Sequence, residues 1–155
     1  VRTERNYGSG RNRKVDVYIT CINLNRLEAG GATDIYAEKS TIKSQSLEIY
    51  AQGASDITIS VEVTDLKVKA SGASDTKISG KADNQKIEVS GASDFEAYDL
   101  AGKDVEIKAS GGADANIQVS NRLNAKASGG SDIRYKGNPK NVYVNSNGGS
   151  SIRKR

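Results

Sequence analysis

The sequence contains no histidine, methionine or tryptophan, and it has one phenylalanine, one proline and one cysteine. The lone Cys21 excludes a disulfide within the chain, and the absence of histidine excludes the usual zinc clusters. Because large apolar residues are so scarce, the 155 residues offer little material for a thick globular core. No apolar run approaches the about 18 residues of a membrane-spanning helix. We therefore expect a single domain with a thin, elongated core of small side chains.

Charge is distributed unevenly along the chain. Residues 1–14 contain five basic residues and one acidic residue, and residues 133–155 contain six basic residues and no acidic one. The middle, residues 15–132, contains 12 basic and 18 acidic residues, so the basic pI comes from the two ends. Proteins that bind nucleic acids usually cluster lysine and arginine on one face. This distribution argues against a nucleic-acid partner.

An internal repeat is the strongest signal in the sequence. The tetrapeptide Gly-Ala-Ser-Asp occurs three times without change, and four variants continue the series, so that the seven copies occupy residues 31–34, 53–56, 72–75, 91–94, 111–114, 129–132 and 148–151. Successive copies end 22, 19, 19, 20, 18 and 19 residues apart. A repeated period of this length is typical of solenoid proteins.

Aligning the copies separates the columns that face inward from those that face outward. Aliphatic or small residues recur five and seven positions before the last residue of the motif and, in most copies, one and three positions after it, with mainly polar residues between. This alternation is typical of half-buried strands. We expect a sharp bend between the two strands, with Ala54 and its equivalents inward and the serine and aspartate bonded to the local backbone. The bend requires conformational freedom, which the glycine of each copy supplies: Gly31, Gly53, Gly72, Gly91, Gly111, Gly129 and Gly148.

These columns predict an all-β fold, a single-stranded β-helix (solenoid) of about seven turns of roughly 19 residues. The turns stack at about 4.8 Å, and a right-handed coil is expected from the usual hand of parallel crossovers. The returns between repeats are predicted at residues 60–65, 79–85, 98–104 and 120–122. One β-helix domain then covers residues 1–155, with a polar segment at 1–14, the repeats over 15–152 and a basic tail at 153–155.

Residues 15–24 are predicted to form one further strand ahead of the first bend. Val15, Val17 and Ile19 alternate with polar residues and would face inward. Cys21 continues the same phase, so we interpret it as a small buried hydrophobe without a reactive role.

The motifs also resemble those of a known family. Ser-Gly-Ala-Ser-Asp blocks at 71–75 and 90–94, together with Gly137-Asn138-Pro139 and Asn147-Gly148-Gly149-Ser150, resemble the bacterial "putative auto-transporter adhesin, head GIN domain" family over residues 15–155. The resemblance implies a β-helical domain of the cell envelope, the cell surface or the secreted fraction, and it brings no established catalytic residues. Family members usually have more sequence ahead of the repeats, so we expect any export signal to precede Val1.

The aspartate that ends the motif is the sharpest candidate for a metal site. Stacked carboxylates repel one another, by roughly 1 kcal/mol per pair at 4 Å in water, so something must offset the repulsion. Hydrogen bonds from the turn backbone would do so, and so would a calcium ion, for which the candidates are Asp56, Asp75 and Asp94. One aspartate per about nineteen residues is sparse for calcium, so the structural interpretation is preferred and we expect no metal or other cofactor.

Catalysis finds less support in the residues. Asp75 with Lys77 and Glu106 with Lys108 could be proposed as acid and base, but alternating residues on an exposed strand face usually form weak ion pairs. The tyrosines mostly occupy outward or edge positions, where they either pack across strands or contact a ligand: Tyr18, Tyr36, Tyr50, Tyr98, Tyr135 and Tyr143. We predict no catalytic residues.

Two classes of function remain open. The first is a non-catalytic adhesin that presents a rigid surface to a glycan, a matrix component or an envelope protein, of which a purely structural spacer is a variant. The second is a β-helical carbohydrate-active enzyme, which only the analogy of fold supports.

Overall fold

The computed structural model describes residues 16–155 and all of their side chains except those of residues 38 and 39. No helix occurs in this range, which contains eleven strands. In chain order they are β1 Arg26–Ala29, β2 Asp34–Gly53, β3 Asp56–Gly72, β4 Asp75–Gly91, β5 Asp94–Ala97, β6 Leu100–Gly111, β7 Asp114–Gln118, β8 Arg122–Gly129, β9 Asp132–Lys136, β10 Asn141–Gly148 and β11 Ser151–Lys154.

All of the strand pairs are parallel and join equivalent positions of successive repeats. Asp56 lies opposite Asp75 and Asp94 lies opposite Asp114, so identical columns of the alignment become ladders in space. The predicted β-helix of about seven turns is confirmed. The domain bounds predicted from the sequence remain a prediction, and the segment 1–14 lies outside the described residues.

Three faces make up each full winding. The first face leads into the glycine bend and contains β1, β8, β10 and the segments 46–53, 65–72, 84–91 and 104–111. The second face follows the bend and contains β5, β7, β9, β11 and the segments 34–37, 56–59 and 75–78. The returns predicted at 60–65 and 79–85 lie within β3 and β4, where residues 60–63 pair in register with residues 79–82 as a third face.

The bend has one conformation in every copy. Gly31, Gly53, Gly72, Gly91, Gly111, Gly129 and Gly148 have φ between 72° and 92°. Each bend also contacts the one before it: Ala73 N donates to Gly53 O at 2.8 Å, and Ala92 N donates to Gly72 O at 2.8 Å. A Cβ at Gly91 would lie 2.5 Å from Gly72 O. Both the backbone conformation and the stacking therefore require glycine.

One detail of the bend differs from the prediction. Ala54 and its equivalents are exposed, and the serine before the aspartate points inward instead: Ser55, Ser74 and Ser93 are fully buried. The inward phase therefore advances by four residues across the bend, from Ala51 to Ser55. The positive φ of the glycine turns the next peptide outward, which the pattern of small residues did not reveal.

The core runs along the axis of the stack and consists of short aliphatic ladders. Val68, Ile87, Ile107 and Ala125 follow one another in register and are each fully buried. Phe95 is the only large aromatic side chain among the fully buried residues of the described range. This arrangement confirms the thin core expected from the composition.

The strand predicted at residues 15–24 is wrong for its described part. Residues 16–25 form no strand, and the first one begins at Arg26. Val17 is 50% exposed and Ile19 is 67% exposed, and Cys21, predicted to be buried, is exposed as well. An alternating pattern produces a strand only where an adjacent winding offers a partner, and β1 contributes only four paired residues. Val15 lies outside the described residues.

Candidate binding surfaces

Ion pairs between windings hold the outward side chains of the first face. Lys69 Nζ lies 2.8 Å from Glu88 Oε2, and Lys67 Nζ lies 3.2 Å from Glu48 Oε1. These side chains are more than a third exposed, so solvent screens each pair and its contribution to stability is small. Their main effect is to fix the positions of the charges along the face.

Tyr50 anchors the N-terminal part of this face. Its hydroxyl donates to Glu48 Oε2 at 2.9 Å, and the Arg26 guanidinium lies 4.3 Å from the centre of its ring. The hydrogen bond from Tyr50, followed by that from Lys67, lowers the pKa of Glu48. Glu48 is therefore held as an anion, which is the wrong protonation state for a general acid near neutral pH.

A groove crosses the first face along the axis of the stack, and we call it the main groove. It has a volume of about 790 Å³ and extends over six windings. Its floor is formed at the inward positions Leu47, Leu66, Gln85 and Val105, and charged, amide and phenolic side chains border it: Glu48, Asp65, Lys67, Asn84, Lys86, Asp104, Glu106, Arg122, Asn124 and Tyr143.

Some of these bordering side chains form hydrogen bonds or ion pairs with one another, and others have no such partner among the described residues. Asn84 Nδ2 donates to Asp65 Oδ1 at 2.8 Å, and Arg122 lies 3.4 Å from Asp104. Lys86, Asn124 and Tyr143 have no hydrogen bond or ion pair with any other described residue through their side chains. Tyr143 is 63% exposed at the C-terminal end of the groove, so its ring is open to a ligand.

The second face carries the aspartate ladder. A second groove of about 460 Å³, which we call the acidic groove, is bordered by Asp56, Asp75, Asp94 and Asp114 and by Tyr36 and Asn116. Burial, followed by repulsion from Asp75 and Asp114, raises the pKa of Asp94. The ladder is thus a strip of mutually repelling carboxylates.

The aspartates do not bond to the bend as expected. Within the described range, the side chains of Asp56, Asp75 and Asp94 have neither a hydrogen-bond partner nor an ion-pair partner. In some copies a hydroxyl group of the motif bonds the bend instead: Ser131 Oγ donates to Ser128 O at 2.9 Å, and Thr33 Oγ1 donates to Gly30 O at 2.8 Å. No group of three histidine, cysteine, aspartate or glutamate side chains in this part of the chain is placed to hold a metal ion.

The pairs weighed as acid and base behave differently from each other. Lys108 Nζ lies 3.9 Å from Glu106 Oε1, and both side chains are nearly half exposed. Asp75 and Lys77 form no ion pair with each other. Neither pair is enclosed in a way that excludes water, so neither resembles a catalytic couple.

Sequence reasoning named Tyr143 among the outward tyrosines and Glu106 in a possible acid–base pair, but it did not single out Lys86 or Asn124 or place these groups beside one groove. Lys86, Asn124 and Tyr143 share one column, eight residues before the last position of the motif. That column could have been identified as outward and polar from the alignment. Its position beside a groove depends on how the windings bend between the third and first faces, and the alignment does not contain this information.

The family of the chain follows from its sequence. The model of the family described as "Putative auto-transporter adhesin, head GIN domain" matches residues 1–139, and the chain belongs to this family. A comparison with curated proteins gave no significant match. The part of the chain that the structure describes contains no helix that is long and apolar enough to cross a membrane.

Solved structures share the fold. A "putative adhesin" from Bacteroides fragilis superposes with a TM-score of 0.81 at 25% identity, over 85% of this chain and 61% of its own. A "putative lipid binding protein" from Parabacteroides distasonis gives a TM-score of 0.64 at 18% identity, over 86% of this chain and 55% of its own. A "putative adhesin" from Parabacteroides merdae also gives 0.64, at 21% identity, over 85% of this chain and 64% of its own. The chain thus spans less than two thirds of the length of each of these structures.

Proposed function

We propose that the chain is a non-catalytic adhesion domain of the bacterial envelope, cell surface or secreted fraction, and that its main groove binds a linear glycan. The observation that carries the proposal is a groove across six windings, bordered by hydrogen-bonding side chains and ending at an exposed tyrosine. Polar side chains of differing chemistry occupy equivalent positions at the strand spacing of about 4.8 Å, and this regular spacing suits a ligand that is itself a repeating chain. Adhesin names within the family and among the similar structures agree with a binding role.

Tyr143, Lys86 and Asn124 are the groups that we assign to the glycan. A tyrosine ring can stack against the apolar face of a sugar, while an amine and an amide can bond its hydroxyl groups. Because these three side chains have no partners among the described residues, they can bind a sugar without first breaking a bond within the protein.

A second candidate is a carbohydrate-active enzyme that uses the acidic groove. The observation in its favour is Asp94, whose raised pKa is the direction that a catalytic acid requires. Against it, the groove is open and its aspartates lie in one ladder along the same face, rather than on opposite sides of a cleft.

The experiment measures retention and cleavage in parallel on a panel of immobilised polysaccharides. Tyr143→Ala is compared with Tyr36→Ala, a matched control that is 67% exposed and borders the acidic groove. We expect retention without cleavage, weakened about tenfold by Tyr143→Ala and unchanged by Tyr36→Ala.

Three results would contradict the proposal. Weaker retention in Tyr36→Ala alone would move the site to the acidic groove. Cleavage that Asp94→Asn abolishes would identify an enzyme. If no polysaccharide is either retained or cleaved, the structural spacer is the interpretation that remains.

A further inference from the structure

The lysines of the first face differ in whether a carboxylate compensates their charge. Lys67, Lys69 and Lys108 each form an ion pair with a glutamate. Lys86 and Lys126 are exposed, and neither forms an ion pair with a carboxylate among residues 16–155. These two lysines therefore keep a positive charge that the described part of the chain does not neutralise.

Each of the two unpaired lysines also lies beside another lysine. Lys86 is in register with Lys67 of the preceding winding, and Lys126 is in register with Lys108. On its other side, Lys86 is in register with Glu106, whose carboxylate lies 3.9 Å from Lys108 Nζ instead. Like charges that lie opposite each other on neighbouring strands repel. A bound anion would relieve this repulsion, so both positions favour a negatively charged ligand.

The carboxylates that border the main groove already have donors within the protein. Asp65 Oδ1 accepts a hydrogen bond from Asn84 at 2.8 Å. Asp104 Oδ1 accepts one from Asn121 Nδ2 at 2.7 Å, and Glu48 accepts two. Hydrogen bonds to charged groups are stronger than those between neutral ones, so these anions stay with their own donors. An acidic sugar can therefore reach the unpaired lysines without separating an ion pair.

The second face has the opposite charge pattern. Asp56, Asp75 and Asp94 lie in one ladder there, and their side chains have no hydrogen-bond or ion-pair partner in the described range. An acidic polymer is repelled by this ladder and is directed to the first face. The outward side chains of the first face point away from the axis of the stack, so additional windings at either end would leave Lys86 and Lys126 open.

We propose that the glycan in the main groove is acidic, and that Lys86 and Lys126 bind its carboxylate or sulfate groups. The inference rests on the proposed function, because it names the class of sugar that the same groove binds. Lys126 lies two residues after Asn124 on β8, and two windings separate it from Lys86, so their Cα atoms are about 12 Å apart. The two lysines thus contact separate acidic groups of one extended polymer, while Tyr143 packs against a sugar ring.

Two matched pairs of polysaccharides are the probes: polygalacturonate with its carboxyl-reduced form, and dextran sulfate with dextran. Biolayer interferometry measures the affinity of the protein for each immobilised polymer at about 0.15 M salt, where distant charges are screened. We expect the acidic member of at least one pair to bind about tenfold more tightly than its neutral partner, from about threefold for each lysine. Preference for polygalacturonate would identify carboxylates as the bound groups, and preference for dextran sulfate would identify sulfates.

Variants of the two lysines locate the bound acidic groups. Lys86→Gln and Lys126→Gln should each weaken binding of the acidic polymer about threefold, and together about tenfold, because sites this far apart act independently. Lys86→Arg keeps the charge and should keep most of the affinity. Lys77→Gln is the matched control, since it removes the same charge from an exposed position on the second face, and it should change the affinity by less than about 1.5-fold. The neutral polymers should bind the lysine variants and the wild type equally.

Three results would overturn the inference. Equal binding of acidic and neutral polymers, reduced in Tyr143→Ala, would retain glycan binding and remove the acidic class. Preference for an acidic polymer that the double variant leaves unchanged would place its binding away from Lys86 and Lys126. Binding of none of the four polymers would also overturn it, and the wider panel of polysaccharides then decides separately whether glycan binding itself fails.

Discussion

Alanine substitutions at Gly111 and Gly112 test the stacking of the bends, because these two neighbours differ in backbone conformation and in how closely the preceding bend approaches them. Gly111 has a φ of 81°, and an added Cβ would lie 2.7 Å from Gly91 O. At Gly112 the only atom within 4 Å of an added Cβ is that same oxygen, at 3.9 Å. The left-handed conformation costs a residue with a Cβ about 1–2 kcal/mol. Displacing the bend weakens the bond from Gly112 N to Gly91 O, for about 1 kcal/mol more.

Gly111→Ala should therefore lower the free energy of unfolding by about 2–3 kcal/mol, or Tm by roughly 5–10 °C for a domain of this size. Gly112→Ala should be neutral or stabilising by up to about 0.5 kcal/mol, because alanine occupies the equivalent position in four other copies. Urea unfolding, monitored by circular dichroism and by tyrosine fluorescence, measures the free energy of unfolding of both variants. Coincident transitions from the two probes check that the stack unfolds cooperatively. A difference below about 0.5 kcal/mol between the two variants would refute the reasoning, because a difference of that size lies within the usual scatter for unconstrained surface sites.

Three further predictions concern stability. Ser131→Ala should cost about 1 kcal/mol in urea unfolding, because its hydroxyl donates to Ser128 O and accepts from Ser128 N. Ser55→Ala should cost nothing, because the buried Ser55 hydroxyl has no partner among the described residues, and equal costs would contradict this. The pKa of Asp94 is raised in the folded chain, so its ionisation destabilises the fold as pH rises, and Asp94→Asn should raise Tm at pH 7 with no gain below about pH 4. A gain in Tm that persists below about pH 4 would show that the ionisation of Asp94 is not its cause. Calcium or a chelator should leave Tm unchanged, and a rise of several degrees with calcium would assign a metal to the aspartate ladder.

The sequence was sufficient to predict the fold because the residues that determine it recur in register. Glycine in all seven copies locates the bend, and the aliphatic columns around it define the core ladders. The inward phase at the bend was not predictable in the same way, since Ala54 and Ser55 are both small and either could be buried by size alone. Only the positive φ of Gly53 decides which of them points inward.

Residues at the N-terminal end and within the returns show the other limits. Val17 and Ile19 alternate like strand residues, but no strand within residues 16–155 lies beside them to cover them, and a local sequence pattern does not contain this information. Gly80 and Gly137 have φ of 106° and lie outside the bend column, where a Cβ would meet a backbone oxygen at 2.1 Å. They allow the chain to turn on the third side, and both lie five positions after the last residue of the motif, but glycine in only two copies was too weak a signal for this role.

The depth of the main groove was equally inaccessible from the alignment. Lys86, Asn124 and Tyr143 were recognisable as outward residues of one column, but a column on a flat face and a column beside a groove have the same pattern. Recognition of the candidate site therefore requires the structure. The choice between binding and catalysis depends on which side chains bordering the groove have no partner among the described residues.

The most direct test of glycan binding is calorimetry with oligosaccharides of increasing length, cut from a polysaccharide that the protein retains. The main groove spans five strand spacings, about 24 Å. We predict that affinity rises with each added sugar until the oligosaccharide reaches this length and then levels off, and that Tyr143→Ala removes the last part of the rise. An affinity that does not depend on length, or a rise that Tyr143→Ala leaves unchanged, would contradict binding along the groove.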